Sequence, residues 1–159
     1  MFKYLLKLFE KRDIGIELDK SLARWEVQGI KDYPSLFKNL GQIIPDDSVL
    51  YFEGGSPSND LLEFLQKNKI TDDVKIKFGT IFPRPTVYKI PATNKNLRTL
   101  SKITEGYAEP EVAVHFHVYK DDKLLVEWFD AFFQSMLLSS IFSEKKVQNF
   151  TKSIGATYK

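Results

Sequence analysis

Residues 109–130 read EPEVAVHFHVYKDDKLLVEWFD, and the alternation inside that stretch decides the fold. In an extended chain successive side chains project to opposite sides. Val112, Val114, Phe116 and Val118 therefore fall on one side, and Ala113, His115, His117 and Tyr119 on the other. Asp121 and Asp122 separate this run from a second one, Lys123 to Trp128, which predicts an antiparallel hairpin. With a two-residue turn, Tyr119 opposes Leu124, His117 opposes Val126, His115 opposes Trp128 and Ala113 opposes Asp130. His115, His117, Tyr119, Trp128 and Asp130 then share one solvent-facing surface, and Glu127 falls on the mostly aliphatic one. The turn lacks glycine, so a register shifted by one residue is the alternative; the two histidines stay together in either case.

Upstream, Ala23, Trp25 and Val27 alternate with polar residues as a strand does, while the spacing of Leu18, Leu22 and Trp25 fits a helix as the alternative. Asp32-Tyr33-Pro34 marks a helix entry, a capping acid followed by a proline tolerated in the first turn, with Leu36, Phe37, Leu40 and Ile44 on the buried face. The apolar run from Ser48 to Glu53 predicts a central strand covered on both faces. Gly54-Gly55-Ser56-Pro57 turns into a helix that carries Leu61, Leu62 and Leu65, with Ser56 as its cap. Lys75 to Phe82 alternates again through Ile76 and Phe78, and this strand–helix–strand order permits a parallel crossover. Val87 to Ile90 predicts a short strand. Thr93 or Asn94 caps a helix bearing Leu97, Leu100 and Ile103, with Gly106 placed to end it. Met136 to Ser140 predicts the third strand of a meander, and Ser143 opens a last helix whose Val147, Phe150 and Ile154 stripe ends at Gly155.

At the N-terminus, MFKYLLKLFEKR places Phe2, Leu5, Leu6 and Phe9 at helical spacing, so residues 1–12 are expected as a helix packed on the domain. The expected architecture is α+β over 1–159 as one domain: a mixed central sheet with a C-terminal antiparallel meander, flanked by about five helices.

Composition narrows the chemistry. The 159 residues include no cysteine, which excludes thiol catalysis, cysteine-bound metals and disulfide scaffolds and fits a cytoplasmic location. Hydrophobic residues make up 43%, enough for a substantial core. The net charge of +2 arises from 23 basic and 21 acidic residues that interleave, without the basic stripe of a nucleic-acid binder. No apolar run is long enough to span a bilayer, so neither nucleic acid nor membrane is expected as a partner.

Three chemistries suit the hairpin face. Histidines two apart on a strand can ligate one metal ion, with Glu109, Glu111 or Asp130 completing the shell. That pair resembles the strand-borne histidines of cupins, whose glycine lead-in and downstream glutamate and histidine have no counterpart here. A histidine oriented by Asp130 or Glu111 could transfer protons. A face of Trp, Tyr and His can also serve recognition, because its aromatic rings bury large areas while keeping a polar tip. Gly54-Gly55-Ser56 sits where phosphate loops occur but lacks their lysine, and an ordinary tight turn is the expectation. The expectation for the whole is a non-catalytic protein-binding module of the regulatory, adaptor or immunity type known from bacterial cells, with no cofactor. Its binding-face candidates are Glu109, Glu111, His115, His117, Tyr119, Trp128 and Asp130. The alternative is a small metal-dependent or acid–base enzyme built on His115 and His117.

Overall fold

A computed structural model describes residues 15–18, 24–80 and 82–159; the helix expected over 1–12 lies outside them. Strands β1 (Trp25–Gln28), β2 (Val49–Glu53), β3 (Val87–Pro91), β4 (His115–Lys120), β5 (Lys123–Trp128), β6 (Met136–Leu138) and β7 (Thr157–Tyr158) form one sheet in the order β3-β2-β4-β5-β6-β1-β7. Helices α1 (Tyr33–Leu40), α2 (Asn59–Asn68), α3 (Asn94–Ile103), α4 (Glu109–Val112) and α5 (Glu144–Ile154) accompany it. The fold is α+β, with β4, β5 and β6 as the meander. No helix among the described residues is long and apolar enough to cross a membrane.

The helix boundaries follow local chemistry. The Asp32 carboxylate accepts the Ser35 N–H at 2.7 Å and Pro34 sits in the first turn of α1. Thr93 caps α3 and Ser143 caps α5, each through its hydroxyl. Gly155, at φ +66°, ends α5 in the left-handed conformation that a side chain disfavours. The cap of α2 is Ser58 rather than Ser56. The Ser56 N–H donates to the Pro110 carbonyl, and that tie carries the chain two residues further before it coils.

Every neighbouring pair of strands is antiparallel, so β2–α2–β3 returns beside β2 in the opposite direction and the parallel crossover is not formed. The strand expected over 75–82 is not formed among the described residues, where only Ile76 makes a bridge, to Ile16. Both edges of β2 are taken by β3 and β4, so the segment cannot pair with β2, and its Gly79 and Thr80 amides are spent on the Glu53 side chain. It contributes to the second face of the sheet instead. There Ile76 packs with Leu18, Tyr51, Tyr119 and Leu124 in a small apolar cluster.

The main core lies on the opposite face. Leu50, Phe52, Phe116, Val118, Val126 and Trp128 meet the apolar stripes of α1, α3 and α5 there. Phe116 stands at its centre, edge-on to Tyr33, Phe37 and Phe52 with centroids 5.3–6.3 Å away.

The hairpin register changes part-way. Lys120 pairs with Lys123 and Tyr119 with Leu124, as a two-residue turn requires, and Asp121 takes φ +52° in that turn. Val118 then pairs with Val126, so Leu125 is an extra residue, a β-bulge. From there each β5 partner is one position later than the simple register predicts. Glu127 opposes His117, and Trp128 opposes Phe116. This corrects the expected face: Glu127 joins the histidines, while Trp128 turns into the helix-covered core. Phe116→Ala is expected to cost about 3–5 kcal/mol of unfolding free energy, measured by urea denaturation, because it removes the ring on which three others converge.

Candidate functional site

On the second face of the sheet, alternation puts Tyr51 and Glu53 of β2 beside His117 and His115 of β4, in the pairs Tyr51–His117 and Glu53–His115. Glu53 is wholly buried. Its Oε2 accepts the Gly79 N–H at 2.8 Å and the Thr80 N–H at 2.9 Å, and its Oε1 accepts the Tyr51 hydroxyl at 3.1 Å. The His115 Nε2 lies 3.5 Å from Oε2. Burial, and after it the Glu53 charge, pushes the Tyr51 hydroxyl well above the usual phenol range, so it remains a donor. A buried carboxylate is tolerable only when its oxygens are met by donors, and here they are. The approach is close: a Cβ on Gly79 would stand 2.6 Å from the His115 ring.

Backbone amides fix both imidazoles. The Asp130 N–H donates to His115 Nδ1 at 2.9 Å, and the Trp128 N–H donates to His117 Nδ1 at 3.1 Å. In the neutral ring the proton therefore sits on Nε2. His115 Nε2 has Thr80 Oγ1 at 3.2 Å and Glu53 as acceptors. Among the described residues His117 Nε2 is buried without a hydrogen-bond partner, and Phe129 and Tyr51 flank its ring. Burial, and behind it neighbouring His115, pushes His117 down from 6.5 to about 3.

This arrangement bears on both chemical alternatives. A histidine that ligates a metal through Nε2 carries its proton on Nδ1 and donates it to an acceptor. Here each Nδ1 faces a donor, so neither ring offers a lone pair without giving up a backbone hydrogen bond. The same constraint opposes proton abstraction by either ring. Among the described residues no group of three or more His, Asp or Glu side chains could hold a metal.

The histidines do hold the loop after β5. Asp130 is fixed to His115, the Ala131 N–H donates to the Val114 carbonyl at 2.9 Å, and the Trp128 indole N–H donates to the Gln134 carbonyl at 2.8 Å. Asp130 (φ +43°) and Phe132 (φ +71°) occupy the left-handed region, uncommon for a residue with a Cβ and rare for an aromatic one. Packing of the Phe132 ring against Trp128 and Tyr33, with centroids at 4.7 and 5.0 Å, offsets that strain. The loop thus turns Phe132 inward and Phe133 outward, and Phe133 is 87% exposed. Grooves of about 280 and 360 Å³ lie on either side of it.

The seven candidate residues are therefore dispersed. His115, His117 and Tyr119 lie on one face of the sheet but are buried, where an open surface was expected. Trp128 is on the other face. Glu109 and Glu111 belong to the short helix α4 rather than to a strand entry, and the Glu111 carboxylate accepts the Ala108 N–H. Asp130 is exposed and lines the larger groove together with Glu109. The Gly54-Gly55-Ser56 turn has no open phosphate cradle, since the Gly54 and Ser56 amides donate to the Thr86 and Pro110 carbonyls. Two important residues escaped the sequence reading. Glu53 was visible as an acid ending an apolar strand, in phase with Tyr51. Phe133 was visible only as an apolar residue in an aperiodic FDAFFQ segment.

Comparison with known protein families, curated proteins and solved structures gives no match. The chemistry of the site therefore stands on its own residues.

Glu53→Gln places an NH₂ donor among backbone donors. It is expected to cost roughly 2–4 kcal/mol and to speed amide hydrogen exchange at Gly79 and Thr80; unchanged exchange there would refute the anchoring role. His117 sets an acid limit. Its folded pKa of about 3 lies below the ordinary 6.5, so the unfolded chain takes up the proton first. The stability it permits is whole above about pH 6.5 and falls by up to ~1.4 kcal/mol per pH unit toward pH 3. A His117→Gln variant, which keeps an acceptor for the Trp128 amide, should lose that slope in denaturation measured across this range.

Proposed function

We propose that this chain is a non-catalytic protein-binding module, of a regulatory or adaptor kind and cytoplasmic as its lack of cysteine suggests, which meets its partner at one end of the sheet. The supporting observation is the exposure of two phenylalanines, Phe82 at 86% and Phe133 at 87%, on segments tied to the same buried Glu53–His115 pair. β2 ends, β4 begins and β5 ends at that edge of the molecule. Partly exposed Phe78 lies on the Phe82 segment and Val114, just before β4, accepts the Ala131 N–H, so among the described residues four of the five exposed large hydrophobic side chains lie at this end; Ile141 follows β6 at the opposite end. Aromatic side chains on hydrogen-bonded loops cost little conformational entropy when a partner covers them, which is the economy of a preorganised interface. Donor-facing Nδ1 atoms lend the acid–base and metal alternatives less support.

A photo-crosslinking residue introduced at position 82 or 133 is expected to capture the same partner in cells, whereas one at Ile141, also exposed at 63%, is not. Each substitution should change stability by no more than ~0.5 kcal/mol. Equal capture from all three positions, or none from 82 and 133, would defeat the proposal.

A further inference from the structure

The larger groove beside Phe133 indicates what kind of segment would cover it. Its apolar lining comes from Pro110, Ala113, Val114, Ala131 and Phe133. At about 360 Å³ it is at the small end of ligand pockets, which run roughly 300–1,000 Å³, and suits one or two side chains better than a cofactor. Its charged lining is entirely acidic, Glu109 on one wall and Asp130 on the other. Among the described residues neither carboxylate is in ion-pair distance of a lysine or arginine. Asp130 Oδ1 is 3.8 Å from His115 Nδ1, but that nitrogen is occupied in accepting the Asp130 amide and donates nothing to the carboxylate. Gln134 gives Asp130 Oδ2 one neutral hydrogen bond of 2.8 Å. The Glu109 charge reaches the groove floor, since it adds to the upward push that burial exerts on the Tyr33 hydroxyl, itself bonded to the Ala113 carbonyl. Two carboxylates without counter-charge beside low-dielectric walls focus a negative potential on the groove.

We infer that the partner's contacting segment carries an aliphatic or aromatic side chain next to an arginine or lysine, the apolar group seated between Val114, Ala131 and Phe133 and the cation held by Glu109 and Asp130. This rests on the reading of that end of the sheet as the binding surface and adds its chemical preference. An acidic segment is repelled there, and a purely apolar one leaves both carboxylates desolvated without a partner, so discrimination comes from charge as much as from fit.

The probes are three capped tripeptides, acetyl-Arg-Leu-Arg-amide and its Gln-Leu-Gln and Glu-Leu-Glu counterparts, titrated into the ¹⁵N-labelled full chain. The arginine peptide is expected to shift the amides of Val114, Ala131 and Phe133, at least about tenfold more tightly than the glutamine peptide, with no response to the glutamate peptide. Raising salt from about 20 to about 300 mM should weaken the arginine peptide alone. A Glu109→Gln, Asp130→Asn double variant, which keeps an acceptor for Gln134, should reduce the arginine peptide to the level of the glutamine one. Equal binding of the arginine and glutamine peptides at these amides would overturn the charge preference and leave the surface standing. Shifts located elsewhere, or none from any peptide while crosslinks still form at position 133, would overturn this inference too. The loss of crosslinks as well would remove the surface itself.

Discussion

The Glu53 carboxylate joins parts of the chain that no ladder connects. Its oxygens are met by two backbone amides of the 75–80 segment and one tyrosine hydroxyl, with an imidazole close by; the carboxylate, the tyrosine and the imidazole are buried, and the two amides belong to half-buried residues. In a medium of low dielectric each such bond is stronger than at the surface, and each missing one would cost correspondingly more. The second sheet face is therefore an all-or-none assembly: with the donors in place the segment is fixed across it, and without them a buried charge is left unpaired. His115 extends that constraint, since one nitrogen faces Glu53 and Thr80 while the other accepts the amide of Asp130.

The two faces of the sheet are stabilised in different ways. The helix side is apolar and interlocks aromatic rings around Phe116, so its strength comes from removing area from water and from dispersion contacts at close range. The other side mixes a small aliphatic cluster with a hydrogen-bonded polar group, and directional bonds determine its shape. The bulge at Leu125 divides residues between them. It places Leu124 on the polar side and Leu125 and Val126 in the main core, and it reverses the facing of every residue to Trp128.

These constraints act together on the loop after β5. Trp128, committed to the core by the bulge, pins Gln134 from below, and His115 pins Asp130 from the side. Between those fixed points the backbone passes twice through the left-handed region, and Phe132 is driven into the aromatic core while Phe133 is pushed into solvent. Strain of this kind persists only where the surroundings over-determine it. In this molecule it results in an outward-facing apolar side chain, on a backbone fixed by the Phe133 N–H to Asp130 carbonyl bond of 2.9 Å, beside an acidic groove.

Much of the fold was legible in the sequence because the signals were local. Asp32, Thr93, Ser143 and Gly155 mark helix ends through their own side chains or the lack of one, and alternation at 112–119 puts both imidazoles on one side whatever the strand pairs with. The choice of register, the loss of the 75–82 strand and the burial of His115 and His117 were not legible. A bulge changes facing without changing composition, and a segment with strand-like alternation forms no strand when its amides are committed to a side chain such as Glu53 rather than to a neighbouring backbone. The linear pattern thus determined the elements, their caps and the α+β class, since these depend on interactions within a few residues. Tertiary structure alone decided which polar groups are sealed and which apolar ones are displayed, since burial is a property of what the rest of the chain lays on top.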